Sequence, residues 1–266
     1  MQFEKKEKLI IAGAEEDIYG MIEVGEYALG YFSSKNTDPD YENEDALFYM
    51  TTNSGMVFGI ADGAGGHAKG KEASEIASKE IINSQAFFNS SDVNPLHIIE
   101  RINNKVLDLK VGARSTLLFI QIDQNIFRSY SVGDSEVIYW NGLGTQVYSN
   151  IPHSTVGYRV QAGDLSQEKS LEQPDRNIVT NLIGDDSIRI EATSAMELKK
   201  GHTILVGTDG LFDNISHNEL SGLATSGAFE KSFDNIVQKC LNRKNTDWIK
   251  DDDIAFVLLR KMRSET

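Results

Sequence analysis

Short apolar blocks separated by polar turns run along this chain at two periods, one suited to strands and one to helices. Apolar runs at 46–50 and 56–61 stand either side of Asn53-Ser54-Gly55, and this predicts a β-hairpin. Ala73, Ile76, Ala77 and Ile81 then fall at helical spacing, as do Leu96, Ile99, Ile102, Val106 and Leu109 after Pro95. Both stripes are read as faces that pack on a core. Strands are predicted at 115–122, 126–132, 136–140 and 146–148, the last two flanking the turn Asn141-Gly142-Leu143-Gly144. Close spacing and short turns predict antiparallel pairing. Residues 153–186 are polar and irregular, a predicted surface excursion. Strands follow at 188–192 and 203–206, helices at 216–224 and 229–241, and a last strand at 254–259. Residues 1–42 are weakly patterned, with one strand at 27–32 and a polar turn at 33–41 that contains Pro39. No repeat, low-complexity linker or composition break interrupts the chain. Helices grouped apart from a mainly antiparallel sheet predict one α+β domain over residues 1–266.

Acids stand at the ends of the predicted strands. Glu44 and Asp45 precede one strand, Asp62 and Asp209 each follow one, and Asp252 and Asp253 precede the last. In an antiparallel sheet a strand's start lies beside its neighbour's end, so all of them can gather at one edge. Carboxylates so crowded raise one another's pKa unless a cation neutralises them. Oxygen ligands suit a hard divalent ion, Mg²⁺ or Mn²⁺, with the Gly63 carbonyl as a backbone ligand beside the carboxylates. A pair of such ions roughly 3.5–4 Å apart activates a water for in-line attack on phosphorus. Taken one at a time, each acid also reads as an ordinary turn or cap residue.

Charge and cysteine content narrow the partners. Asp and Glu number 40 against 26 Lys and Arg, a net charge of −14, which argues against a nucleic-acid or acidic-membrane binder. The single cysteine, Cys240, excludes an internal disulfide framework and a cysteine-based zinc site, and its helical setting reads as buried filler. The apolar run after Lys5, Lys6 and Lys8 is too short for a signal peptide or a spanning helix. A soluble, cytoplasmic protein is expected.

The motifs around these acids resemble those of the metal-dependent protein phosphatases of type 2C, above all the compact bacterial ones. Asn43-Glu44-Asp45-Ala46 and Asp62-Gly63-x-Gly65-Gly66-His67 resemble the opening motifs, and Val132-Gly133-Asp134-Ser135 the central one. His153-Ser154 to Gly163-Asp164-Leu165, with 174–180 after it, is similar to the family's variable flap, here placed at 153–186. Thr208-Asp209-Gly210-Leu211-Phe212-Asp213 and Asp252-Asp253-Ile254 resemble the last two metal motifs. The likeness runs from about residue 22 to 261 in the family's order and spacing. It implies a β-sandwich of two mainly antiparallel sheets flanked by pairs of helices, in α-β-β-α layers. It implies two Mn²⁺ or Mg²⁺ ions and hydrolysis of phosphoserine and phosphothreonine on proteins by a monomer, with a Ser/Thr kinase or its targets as partners. By motif position Asp62 bridges both ions and Gly63 lends its carbonyl. Asp209 and Asp252 hold one ion, Glu44 and Asp45 act largely through metal-bound water, and Asp134 with Asp209 forms a weaker third site. Catalysis is expected to depend on Asp62, Asp209 and Asp252.

Some positions depart from the family pattern. Where the family carries a phosphate-gripping arginine three residues before the Asn of Asn-Glu-Asp, this chain has Asp40, and Lys35, Lys69 and Arg114 are the candidate replacements. Glu136 stands for an arginine after Gly-Asp-Ser, and Asp253 for the Asn of the last motif. His67 reads as a loop or capping residue rather than a proton donor. The alternative carried by Asp40 is a weak or inactive pseudophosphatase that binds a regulatory partner. A phosphate-binding P-loop, nearly spelled by Gly65 to Lys71, fails because Glu72 stands where Ser or Thr must hold Mg²⁺.

Overall fold

Neighbouring residues of Asp45–Thr51 face opposite ways, Leu47 and Tyr49 into one apolar cluster and Phe48 and Met50 into another. A strand with both faces buried reads as a continuous apolar run rather than an alternation, and seven of the described strands are of that kind. The computed structural model describes residues 2–64, 69–90, 94–242 and 250–262.

Two sheets stack face to face. The first runs Phe3–Glu4 (β1), Ile18–Val24 (β3), Tyr27–Ser34 (β4), Ile254–Lys261 (β14), Thr203–Gly207 (β13), Glu136–Trp140 (β9) and Gln146–Ser149 (β10). The second runs Glu191–Ala192 (β11), Ile126–Val132 (β8), Leu117–Asp123 (β7), Gly55–Asp62 (β6), Asp45–Thr51 (β5) and Lys8–Ala12 (β2), with Met196–Glu197 (β12) also on β8. Among these pairs only β1 with β3 is parallel. Leu29, Tyr31, Leu47, Phe58, Ile120, Val206 and Val257 fill the space between the sheets.

Helices cover the two outer faces. Gly70–Asn83 (α1) and, after the short Gln85–Phe88 (α2), Pro95–Leu107 (α3) press Ala73, Ala77, Ile81, Ile99 and Ile102 onto Phe48, Val57 and Phe119 of the second sheet. Asn94 caps α3 by accepting the Leu96 N–H at 3.1 Å, with Pro95 in the first turn. On the first sheet, Asp209–Phe212 (α6), His217–Thr225 (α7) and Phe229–Leu241 (α8) bury Leu211, Leu220, Phe233 and Ile236 against Phe32, Leu205 and Phe256. Cys240 is buried there as apolar filler. These are the expected α-β-β-α layers.

The pattern missed elements in several places, among them the short Gln85–Phe88, Met196–Glu197 and Asp209–Phe212. Residues 1–42 hold β1, β2 and β3 besides β4. The edge strand β2 is only partly buried, and β3 buries three consecutive residues, Gly20 to Ile22, so neither shows the alternation that marks a strand. The excursion at 153–186 carries two short helices, Thr155–Gln161 (α4) and Gln167–Ser170 (α5), whose caps are Ser154 and Ser166. Of 188–192 only Glu191 and Ala192 pair with the sheet. Among the described residues no helix is long and apolar enough to cross a membrane.

Candidate active site

Asp45 and Asp62 are direct cross-strand partners, because β5 starts where β6 ends. Nothing about strand propensity favours two acids opposite one another, and like charges there are destabilising. The main chain holds them in place. The Asp62 N–H donates to the Thr116 hydroxyl at 2.9 Å, while its carbonyl accepts the Thr116 N–H at 2.7 Å and the Ser115 hydroxyl at 2.9 Å. Asn43 accepts the Asp45 N–H at 2.9 Å and donates its amide to the Ala14 carbonyl at 2.9 Å. Asp45 is buried and accepts the Thr208 hydroxyl at 2.9 Å, a bond from the second sheet to the end of β13 in the first. The residue after Thr208 is Asp209, which opens α6.

The last motif divides its labour. Asp253 is buried and accepts the backbone N–H groups of Asn36 and Glu44 at 2.9 and 2.8 Å, one on each oxygen. It ties two loops together, while Asp252 beside it lines the cleft with Glu44, Asp62, Gly63, Asp134 and Asp209. That cleft encloses roughly 600 Å³. Each sequence-predicted metal ligand except the buried Asp45 is among its lining residues.

Two glycines are steric requirements. A Cβ on Gly63 would run into the Gly70 backbone and come within 2.9 Å of the Glu44 Cβ. Gly133, at φ 109°, sits where any Cβ would meet Thr116 at 2.6 Å, and this turn delivers buried Asp134 to the cleft.

The electrostatics are those of an anion surplus. Burial, then the charges of neighbouring acids, pushes the Asp45 and Asp62 carboxyls well above the usual carboxylate range. Asp134 is likewise raised by burial and by Asp209. Burial pushes Glu44 up to about 6, and burial with Asp209 pushes Asp252 up to about 6.

Two residues that the motif reading left aside complete the cluster. Lys250 Nζ lies 2.7 Å from Asp252 and 3.5 Å from Asp213, and it also pairs with Asp209. Burial opposes the ammonium charge, but Asp209, Asp252 and Asp213 outweigh it and raise the lysine's pKa. Asp213 falls one helical turn after Asp209, a spacing that could have drawn attention to it. Burial and then Asp209 push its pKa to about 7, and flap residue Arg176 pairs with it at 3.1 Å.

The expected phosphate cations are engaged elsewhere. Lys35 pairs with Glu15 at 3.2 Å, Lys69 with Glu72 at 2.6 Å and Arg114 with Asp185 at 2.7 Å, and Asp40 is exposed. Gly65, Gly66 and His67 lie outside the described residues. Among the described lining residues Lys250 is the only base.

The donor set fits hard divalent ions by its chemistry: carboxylate oxygens with raised pKa values, the backbone of Gly63 and a cleft with room for water. Among the described residues no three acids close into a ready-made ion cage. Lys250 stands between several of them as a cation, paired with Asp209 and Asp252.

Comparison with known proteins places the chain among relatives. A profile of the protein phosphatase 2C family matches residues 35–252. The protein phosphatase PhpP of Streptococcus pneumoniae is 29% identical over 198 residues, covering 69% of this chain and 79% of PhpP. Among solved structures, a serine/threonine phosphatase of S. agalactiae superposes with a TM-score of 0.73 at 22% identity, over 88% of this chain and 99% of that one. The catalytic domain of the phosphatase PstP, solved with two manganese ions, gives 0.70 at 18% identity, over 89% of this chain and 99% of that one. With a family match over most of its length and the family's sandwich for a fold, this chain belongs to the protein phosphatase 2C family and is a phosphoprotein phosphatase.

Proposed function

We propose that the chain is a single catalytic domain, with a flap at 153–186, that hydrolyses phosphoserine and phosphothreonine on proteins using a dinuclear Mn²⁺ or Mg²⁺ centre. The observation that carries this reading is the convergence of Asp62, Asp134, Asp209 and Asp252 with Gly63 on one cleft. When bound, such ions supply positive charge to the phosphoryl oxygens and lower the pKa of a water. Asp62, fixed through its backbone at the end of β6, and the Gly63 carbonyl beside it would hold the ions. Asp209 and Asp252 would hold one ion. Glu44 on the cleft wall, with Asp45 buried behind it, would act through water bound to the ions, and Asp134 with Asp209 would provide a weaker third site. A phosphate dianion entering this cleft meets Asp38, Glu44, Asp62, Asp134, Asp209 and Asp251 to Asp253 against one lysine. Without added cations it is repelled, so the charge balance supports metal dependence.

The names of its relatives support the Ser/Thr preference: the S. agalactiae protein is a serine/threonine phosphatase, as is stp of Listeria monocytogenes. Phosphorylated proteins, a Ser/Thr kinase or its targets, are the proposed partners of a cytoplasmic monomer. The test is phosphate release from phosphothreonine peptides and p-nitrophenyl phosphate with Mn²⁺ and with EDTA. Activity is expected only with Mn²⁺ and lost in Asp62→Asn and Asp209→Asn. Wild-type protein inert at millimolar Mn²⁺ would overturn the reading in favour of a partner-binding pseudophosphatase.

A further inference from the structure

We propose that Lys250 is a built-in counter-cation that competes with divalent metal for Asp209 and Asp252. The inference rests on the metal-centre reading above and concerns how that centre is regulated. Lys250 Nζ pairs with Asp209, lies 2.7 Å from Asp252 and reaches Asp213 at 3.5 Å, with its side chain only 25% exposed. A surface lysine at the cleft mouth would not be held this way. The Lys250 main chain is gripped by one side chain, Asn214, just after α6. The Asn214 amide donates to the Lys250 carbonyl at 2.8 Å and accepts its N–H at 3.0 Å. The same amide group donates to the Gly210 carbonyl at 2.9 Å, so it also fixes the turn that carries Asp209. The lysine and one of its acid partners are therefore positioned by a single residue.

Charge balance gives the consequence. An ammonium on one oxygen of each carboxylate takes up a lone pair there and repels a second cation brought to the same place, and both cations satisfy the same anion surplus. The ion on the Asp209–Asp252 side thus binds more weakly than the carboxylates alone would dictate, and its occupancy follows the free metal concentration. Removing the lysine charge strengthens metal binding while leaving the metal-free cluster with uncompensated acids.

The test is a Mn²⁺ titration followed by the electron paramagnetic resonance signal of free Mn²⁺, on wild type, Lys250→Met and Lys250→Arg. Lys250→Met is expected to bind the weaker ion about tenfold more tightly, a change of about 1.4 kcal/mol, and Lys250→Arg to keep the wild-type affinity. Metal-free Lys250→Met is expected to melt below metal-free wild type, with the gap closing at saturating Mn²⁺. Equal or weaker binding by Lys250→Met overturns the proposal while leaving the metal centre standing. Equally tight binding by both variants also overturns it, because packing rather than charge is then responsible. Wild type that binds no Mn²⁺ overturns both readings. Should Lys250→Met fail to fold, NMR of lysine-labelled wild type, assigned with Lys250→Arg, replaces it. The Lys250 ammonium signal must then change as Mg²⁺ is added, and an unchanged signal counts against the proposal.

Discussion

Asp252 and Asp253 are adjacent acids in the same motif, yet they do different work. Asp253 accepts two backbone N–H groups from separate loops. Asp253→Ala removes both acceptors and is expected to cost about 1–3 kcal/mol in urea unfolding. Asp253→Asn, which keeps one acceptor oxygen, is expected to cost less. Gly63 is a second residue whose role is steric: Gly63→Ala forces its Cβ into Gly70 and Glu44, with an expected loss of about 1–3 kcal/mol. The acids also set a pH dependence. In the metal-free fold burial holds Glu44 and Asp252 at about 6, against about 4 for free carboxylates. Between those values the native state binds protons that the unfolded chain does not. Metal-free protein is therefore stabilised on acidification from pH 7.5 towards 5.5, and loses that gain as pH rises through about 6. Melting curves in EDTA check the sign, and a melting temperature that falls steadily as pH is lowered from 7.5 to 5.5 contradicts it. The acids and Gly63 were legible at this scale because chemistry marks them. The Lys250 pairing was not, because a lysine two residues from Asp252 reads as one more surface base until the fold turns it inward.

At the scale of elements, the flap is fastened to the part of the molecule that carries Asp209. Arg176 pairs with Asp213 at 3.1 Å and donates to the Leu171 carbonyl at 2.5 Å, while His217 at the start of α7 lies 3.0 Å from Glu136 and 3.2 Å from flap residue Gln167. Arg176→Ala leaves Asp213 without its flap partner. Faster deuterium uptake across 153–186 is expected, with the protection of β5 and β6 unchanged. Uptake that spreads evenly through both sheets would mean the arginine supports the whole fold. The flap's polar sequence hid α4 and α5, short helices that depend on serine caps and on contacts far away in the chain. The hairpin of β5 and β6 was readable because Asn53-Ser54-Gly55 and two apolar runs are local signals. The edge strand β2 and the unevenly buried β3 carry none as clear.

For the molecule as a whole, layering brings the site together. The acids come from the ends of β5, β6, β8, β13 and β14, and Thr208 bonds to Asp45 across the two sheets. Periodicity supported an α+β domain, but the division of strands between two sheets depends on long-range pairing, such as β14 with β4, that no window of sequence contains. The family motifs supplied that order. A chain with net charge −14 that gathers acids in one cleft stores repulsion, and a cation that binds only the folded state relieves it. Mn²⁺ at about a hundred times its Kd is expected to stabilise the wild type by about 2.7 kcal/mol, and Asp62→Asn by much less.

The central claim is that these carboxylates hold two divalent ions. Anomalous diffraction at the manganese edge from crystals grown with Mn²⁺ tests it directly. The expected result is two peaks roughly 3.5–4 Å apart, with Asp62 between them, Gly63 on one and Asp209 with Asp252 on the other. A map with no peak in this cleft, or with Mn²⁺ held only elsewhere on the surface, would contradict it.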